Sequence, residues 1–121
     1  MQENVMRKTR VYVAGPLTKG NVALNVRNAV EIATALLDAG YAPYVPHLTH
    51  FWHMLQPRDY EYWMELDIAW LLACDILLRL PGPSEGADRE VKIARKNGIF
   101  VFFDVDKLKT HVTPSRFLEE E

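Results

Sequence analysis

The chain has 121 residues, 49% hydrophobic and 25% charged, with a net charge of −2. That length suits one domain able to hide roughly two-thirds of its unfolded surface without staples, and the charge balance excludes the basic field that a nucleic-acid polymer would demand. A single cysteine, Cys74, excludes an internal disulfide framework, and no stretch approaches the roughly 20 apolar residues of a membrane span.

Residues 1–8 are polar, lack the apolar core of a signal peptide and read as a loose leader before a domain over 9–121. A reducing, cytoplasmic location is the default expectation. Arg10 to Ala14 reads as a buried strand ended by Gly15-Pro16, and the loop Leu17-Thr18-Lys19-Gly20-Asn21 follows. Asn21 suits an N-cap. From there Val22, Val26, Ala29, Val30, Ala33, Leu36 and Leu37 recur at helical spacing until Gly40 supplies a stop. Tyr41 to Val45 is a second short strand. His47 to Asp59 reads as a long aromatic loop carrying His47, His50, Phe51, Trp52 and His53. Tyr60 to Ala73 is a second helix, Asp75 to Leu80 a third strand, Glu85 to Asn97 a third helix closed by Gly98, and Ile99 to Phe103 a fourth strand. After Asp104 the pattern fades. Strands alternating with helices imply right-handed βαβ units and a parallel sheet.

The segment Pro81-Gly82-Pro83-Ser84-Glu85-Gly86-Ala87-Asp88-Arg89-Glu90 carries the most information. It places a small-residue loop at the carboxyl end of a strand and opens a helix. Ligands bind there in open α/β sheets, and the helix N-terminus offers unpaired N–H groups to an anion. Glu90 shares a helical stripe with Ala87, Ile93 and Ala94, so its carboxylate points inward. The alternative is an acid that only complements the helix dipole, but Glu85 and Asp88 already supply that charge. Asp67 is the second anomaly. Its helical neighbours at three and four residues are Trp63, Met64, Trp70 and Leu71, and such apolar surroundings raise a carboxyl pKa. It is a candidate proton donor, or otherwise an acid that caps a loop or pairs with an arginine. Two inward carboxyls at one sheet edge suggest glycosyl chemistry, with one attacking the anomeric carbon and the other protonating the leaving group. Tyr12, near the end of the first strand, is placed to hold a nucleophilic carboxylate or simply to pack. Ser84 is placed to cap the helix or to hold a phosphate or sugar hydroxyl.

The spacing of His47, His50 and His53 matches no standard zinc pattern, and a Trp- and His-rich lid over a base is the more economical reading. The first loop has neither the P-loop nor the G-x-G-x-x-G pattern, so neither a nucleoside triphosphate nor a dinucleotide is expected. No cofactor or metal is expected. Cys74 reads as a buried inert thiol.

Taken in order, Val11-Tyr12-Val13-Ala14-Gly15-Pro16-Leu17, Asp67, Asp75 and Ser84 to Glu90 resemble the nucleoside 2-deoxyribosyltransferase superfamily, which includes the 2′-deoxynucleoside 5′-phosphate N-hydrolases. The resemblance spans about residues 9–103. It implies a flavodoxin-like or Rossmann-like doubly wound parallel sheet of four to five strands in one α/β domain. It also implies cleavage of a nucleoside N-glycosidic bond through a covalent glycosyl-glutamate, with transfer to another base or to water. The implied catalytic set is Glu90 as nucleophile, Asp67 and Tyr12. Candidate substrate contacts are Gly15, Pro16, Thr18, Lys19 and Asn21 of the first loop, His47 and Trp63 of the aromatic stretch, and Ser84, Gly86 and Asp88. Where transferases carry an aspartate six residues before the nucleophile, this chain has Ser84, as the nucleotide hydrolases do. The arginine-bearing phosphate loop of those hydrolases is replaced by Thr18, Lys19 and Asn21. Transfer and hydrolysis therefore both stay open. The expected partner is a nucleoside or its monophosphate, not a nucleic-acid polymer or a membrane. The aromatic stretch from Phe51 to Trp63 predicts a homodimer or higher homo-oligomer, in which Ser115 or Arg116 reaches a neighbour's substrate. A catalytically silent nucleotide sensor on the same scaffold is the competing reading. A flavodoxin-like domain that only binds protein leaves the two inward acids unexplained.

Overall fold

Residues 6–117 are described in the computed structural model. Four strands form one parallel sheet: β2 (Arg10–Ala14), β3 (Ala42–Tyr44), β4 (Ile76–Arg79) and β5 (Phe100–Phe102), in the spatial order β3-β2-β4-β5. The inner strands β2 and β4 are apolar almost throughout because both of their faces are covered. Side chains alternate across the pleat. Val11, Val13, Ile76 and Leu78 face one core, shared with Leu36 of α1 (Val22–Asp38) and with Leu108. Tyr12, Ala14 and Leu77 face the other, shared with Leu71 of α3 (Tyr60–Leu71) and with Ala87, Val91 and Ala94 of α4 (Glu85–Lys96). The architecture is the doubly wound, flavodoxin-like α/β fold expected from the sequence.

The strand order reverses between β2 and β4, since the chain runs from β2 outward to β3 and then back across to β4. A crevice opens outside the carboxyl ends of the strands at such a switch point. Here those ends are the Gly15-Pro16 loop and the Leu80 to Ser84 loop. The two approach so closely that a Cβ on Gly15 would stand 2.9 Å from the Leu80 side chain, so any larger residue would push the loops apart.

Three expectations need correction. Residues 6–8 are not part of a leader: Met6–Lys8 forms β1, which pairs antiparallel with β6 (Ser115–Phe117). The partner strand lies more than a hundred residues away, so no local pattern reveals it. The stretch from His47 to Asp59 is not one loop. It holds a 3-10 turn at Pro46–Leu48 and a two-turn helix α2 at Thr49–Leu55. Its aromatic and histidine side chains are poor helix formers, and that hides it. Beyond Asp104 the chain is ordered too, as α5 (Val105–His111). Asp104 caps α5 by accepting from the N–H of Asp106 at 2.8 Å, and α5 buries Leu108. No helix among the described residues is long and apolar enough to cross a membrane.

Candidate active site

The switch point opens into a cavity of about 460 Å³, within the size range of small-molecule sites. Its walls come from the first loop, from α2, from one face of α3 and from the start of α4. Each wall has a local cause. The side-chain amide of Asn25 donates to the carbonyls of Leu17 (2.9 Å) and Lys19 (2.8 Å) and so ties the first loop to α1. Ser84 caps α4, its hydroxyl oxygen accepting from the N–H of Ala87 at 3.1 Å. Asp59 caps α3 in the same way through Tyr62, at 2.9 Å. Gly86 keeps the cavity open, because a Cβ there would meet the Tyr60 hydroxyl at 2.9 Å.

Glu90 and Asp67 both line this cavity. Glu90 is only 5% exposed, one turn or so into α4. The hydroxyl of Tyr12, itself fully buried at the centre of β2, donates to its Oε2. Burial pushes the Glu90 carboxyl up to about 7, against the lowering effects of the Tyr12 hydroxyl and of Arg79 and Arg89. Asp67, at the cavity face of α3, is pushed up to about 8, by burial first and then by the Glu90 charge. Its Oδ1 is buried and has no hydrogen-bond partner among the described residues. The two environments thus differ in kind: Glu90 has a donor and cations that favour its charged form, while Asp67 has neither. A pair split in this way can hold one proton and one negative charge side by side near neutral pH. Burial and the Glu90 charge also hold the Tyr12 hydroxyl far above its ordinary range, so it stays a donor. Tyr44 rises to about 12 for the same two kinds of reason, burial and then Asp67. Its ring stacks on Trp70 with centroids 5.7 Å apart.

His47 is 2% exposed, and its Nε2 lies 3.0 Å from the carbonyl of Pro16. A carbonyl only accepts, so Nε2 carries the proton. Burial lowers its basicity. Nδ1 then presents a lone pair that has no partner among the described residues. The Nδ1 of His53 accepts from Trp63 Nε1 (2.8 Å) and from the N–H of Arg58 (3.2 Å), which leaves the His53 proton on Nε2.

Of the residues singled out from sequence, Gly15, Thr18, Lys19, His47, Trp63, Asp67, Ser84, Gly86 and Glu90 line the one cavity, and Tyr12 supports Glu90 from beneath. Three others stand outside the lining. Pro16 offers its carbonyl to His47. Asn21 caps α1 through the N–H of Leu24 at 3.0 Å, and Asp88 pairs with Arg79 at 3.0 Å. His47, His50 and His53 do not come together as ligands, and no three metal-binding side chains cluster among the described residues. Ser115 stands in β6 opposite Lys8, while the side chain of Arg116 lies outside the described residues. Cys74 is half-buried, its thiol pushed up to about 11 by burial. Sequence reasoning missed Arg58 and Tyr60 in the lining. Tyr60 was within reach, because it continues the helical stripe that runs through Met64 and Asp67. Arg58 lay in a stretch read as loop, with no periodicity to place it.

The fold and the acid pair define an α/β protein with a crevice at its topological switch point. Residues 9–104 match the family described as Domain of unknown function (DUF7768), and the chain belongs to that family. No curated protein matches it. Among solved structures it is similar to a 2-deoxyribosyltransferase from the psychrotolerant bacterium Bacillus psychrosaccharolyticus. The two share 18% sequence identity and a TM-score of 0.58 over 77% of this chain and 69% of that one. At that identity the likeness is one of fold.

Proposed function

We propose that this protein cleaves the N-glycosidic bond of a (2′-deoxy)nucleoside or its 5′-monophosphate by way of a covalent glycosyl-glutamate. One observation carries the reading. Two carboxyls share the cavity: buried Glu90, held as an acceptor by Tyr12, and half-buried Asp67, whose Oδ1 has no partner among the described residues and whose pKa is pushed up by burial. In the first step Glu90 attacks C1′ with Oε1, since Oε2 is occupied by Tyr12. The C1′–N bond breaks, its electron pair goes to the base, and Asp67 delivers the proton. In the second step an acceptor attacks C1′ and the Glu90 carboxylate leaves. Asp67 takes the proton from that acceptor, which is a second base or water. The fold shared with a 2-deoxyribosyltransferase supports the reading by analogy.

Ser84 and the start of α4 behind it, with Lys19 across the cavity, support binding of a 5′-phosphate. The deciding experiment incubates the protein with nucleosides and their monophosphates, with and without a second base, and identifies the products. Glycosylated base identifies a transferase, and free sugar or sugar phosphate a hydrolase. Binding without any product would replace the enzyme by a nucleotide sensor. The proposed partners are a small nucleoside or nucleotide and further copies of this chain.

A further inference from the structure

We propose that Arg79 is a positioning residue for Glu90: it locks the Leu80 to Ser84 loop onto the start of α4 and brings a buried positive charge to that end of the helix. This rests on the reading that Glu90 acts as a carboxylate. Arg79 ends β4, and its side chain is only 9% exposed. A buried guanidinium is costly unless its donors are used. Here three of them are: it donates to the carbonyls of Leu80 and Gly82 and to Oδ1 of Asp88, the last two at 3.0 Å. Those acceptors belong to strand end, loop and helix in turn, and the planar fork of an arginine can hold all three at once. Gly82 has a φ of +109°, a conformation other residues rarely adopt, so the turn that presents this carbonyl needs glycine. Asp88 lies two residues before Glu90. The fork therefore fixes the register in which α4 presents Glu90 to the cavity, although Arg79 does not line the cavity itself.

The charges around Glu90 single out this cation. Tyr12 of β2, Tyr44 of β3, Asp67 and Tyr60 of α3, and Arg89 of α4 are the other titratable or charged groups coupled to it. Of these only Arg89 is positive, and it is turned to solvent and paired with Glu61 at 2.8 Å. Solvent screens its field, whereas the field of a buried cation persists. Asp88, paired with Arg79 at 3.0 Å, carries the opposite charge.

The test is a carbon-13 NMR titration of the Glu90 carboxyl in the absence of substrate. Arg79→Gln should raise its midpoint by about one pH unit, because a positive charge is lost. Asp88→Asn should lower it, because the cation loses its counter-charge. A purely structural role predicts that both variants loosen the loop, hydrate Glu90 and move it downward together. That result, or no movement in Arg79→Gln, overturns the proposal. If Arg79→Gln fails to fold, Asp88→Asn decides. A lower midpoint at an unchanged melting temperature supports the proposal, and a rise or no change refutes it. Because the titration needs no turnover, an inactive wild type would remove the glycosidase reading and leave this result standing. Where activity exists, the acidic limb of kcat/KM should shift with the NMR midpoint in each variant.

Discussion

The two walls of the cavity are built differently. On the α4 wall Ala87 and Glu90 are buried, as are Tyr12 and Arg79 behind it, and each polar group is tied to a named partner in the sheet, the loop or the helix. On the α2 wall, no residue of the helix itself is buried, and Phe51, Trp52, Met54 and Leu55 face solvent. Asp67 of α3 also lines the cavity, with one oxygen unpartnered among the described residues. A nucleophile must meet one atom at one distance, so it gains from a wall whose rotamers are locked. A wall that admits substrate must open, and marginally packed elements are the ones that open. An acid that gives its proton to a leaving base needs burial more than partners, because its acceptor arrives with the substrate.

The comparison is broken most severely at Glu90. Glu90→Gln keeps the shape and one acceptor for Tyr12 but removes the attacking oxygen. Base release should fall on the order of a thousandfold or more with the fold intact. A variant with near-wild-type release in a base-quantifying assay ends the nucleophile assignment.

Asp67→Asn comes next. Loss of a general acid costs about a hundredfold to ten-thousandfold on natural bases and far less on a substrate whose leaving group departs unprotonated. The pH profile has a definite sign. Activity should rise as Glu90 ionises near 7 and fall as Asp67 loses its proton near 8, and the alkaline limb should vanish in the variant. Stability follows the same pair. Each folded-state pKa is raised above its ordinary value, so the folded protein binds more protons than the unfolded chain between about 4 and 8. Each contribution is fully present at low pH and is lost as the pH rises through that window. The wild-type melting temperature should therefore drop from pH 5 to pH 8 more steeply than that of Asp67→Asn. Parallel slopes would show that Asp67 is ionised in the folded protein.

Tyr12→Phe tests the locked wall without touching either acid. A hydrogen bond to a charged group is worth about 1.5–3 kcal/mol, so turnover should fall about tenfold to a hundredfold. Because the hydroxyl lowers the Glu90 pKa, its loss should move the acidic limb upward. A fall in rate with an unmoved limb would make Tyr12 a packing residue only.

The locked wall is also the part that the sequence discloses. Glu90 was legible because a helical stripe through Ala87, Ile93 and Ala94 fixes its direction. Asp67 was legible because four large apolar neighbours surround it at helical spacing. Ser84 and Asn21 carried ordinary capping signals, and both cap as expected. The α2 wall was not legible. Its two turns are too short for a periodicity to emerge, and what orders them is contact, such as Trp52 against Trp63 with centroids 5.4 Å apart. Pairing of β1 with β6 and docking of α5 through Leu108 likewise depend on distant partners. Arg79 reads in the sequence as a charge inside an apolar strand. Only the fold shows that its acceptors lie in the next loop and the helix after it.

The smallest effect on the monomer should come from Leu55→Glu, and it decides what the open wall is for. Leu55 is 81% exposed, so the substitution should change folding stability by no more than about 0.5 kcal/mol. Thr49, His50 and His53 of the same helix line the cavity, while Phe51, Met54 and Leu55 lie on the stripe opposite. A second copy covering that apolar stripe would hold α2 in place and thereby hold the histidine wall. Wild type should therefore sediment at twice 13.9 kDa or more at micromolar concentration, and Leu55→Glu at the monomer mass. In the variant KM should rise while kcat changes little, because the Glu90 side remains locked within each subunit. A fully active wild-type monomer would show instead that α2 closes over the cavity unaided, and the contrast between the two walls would then be one of mobility alone.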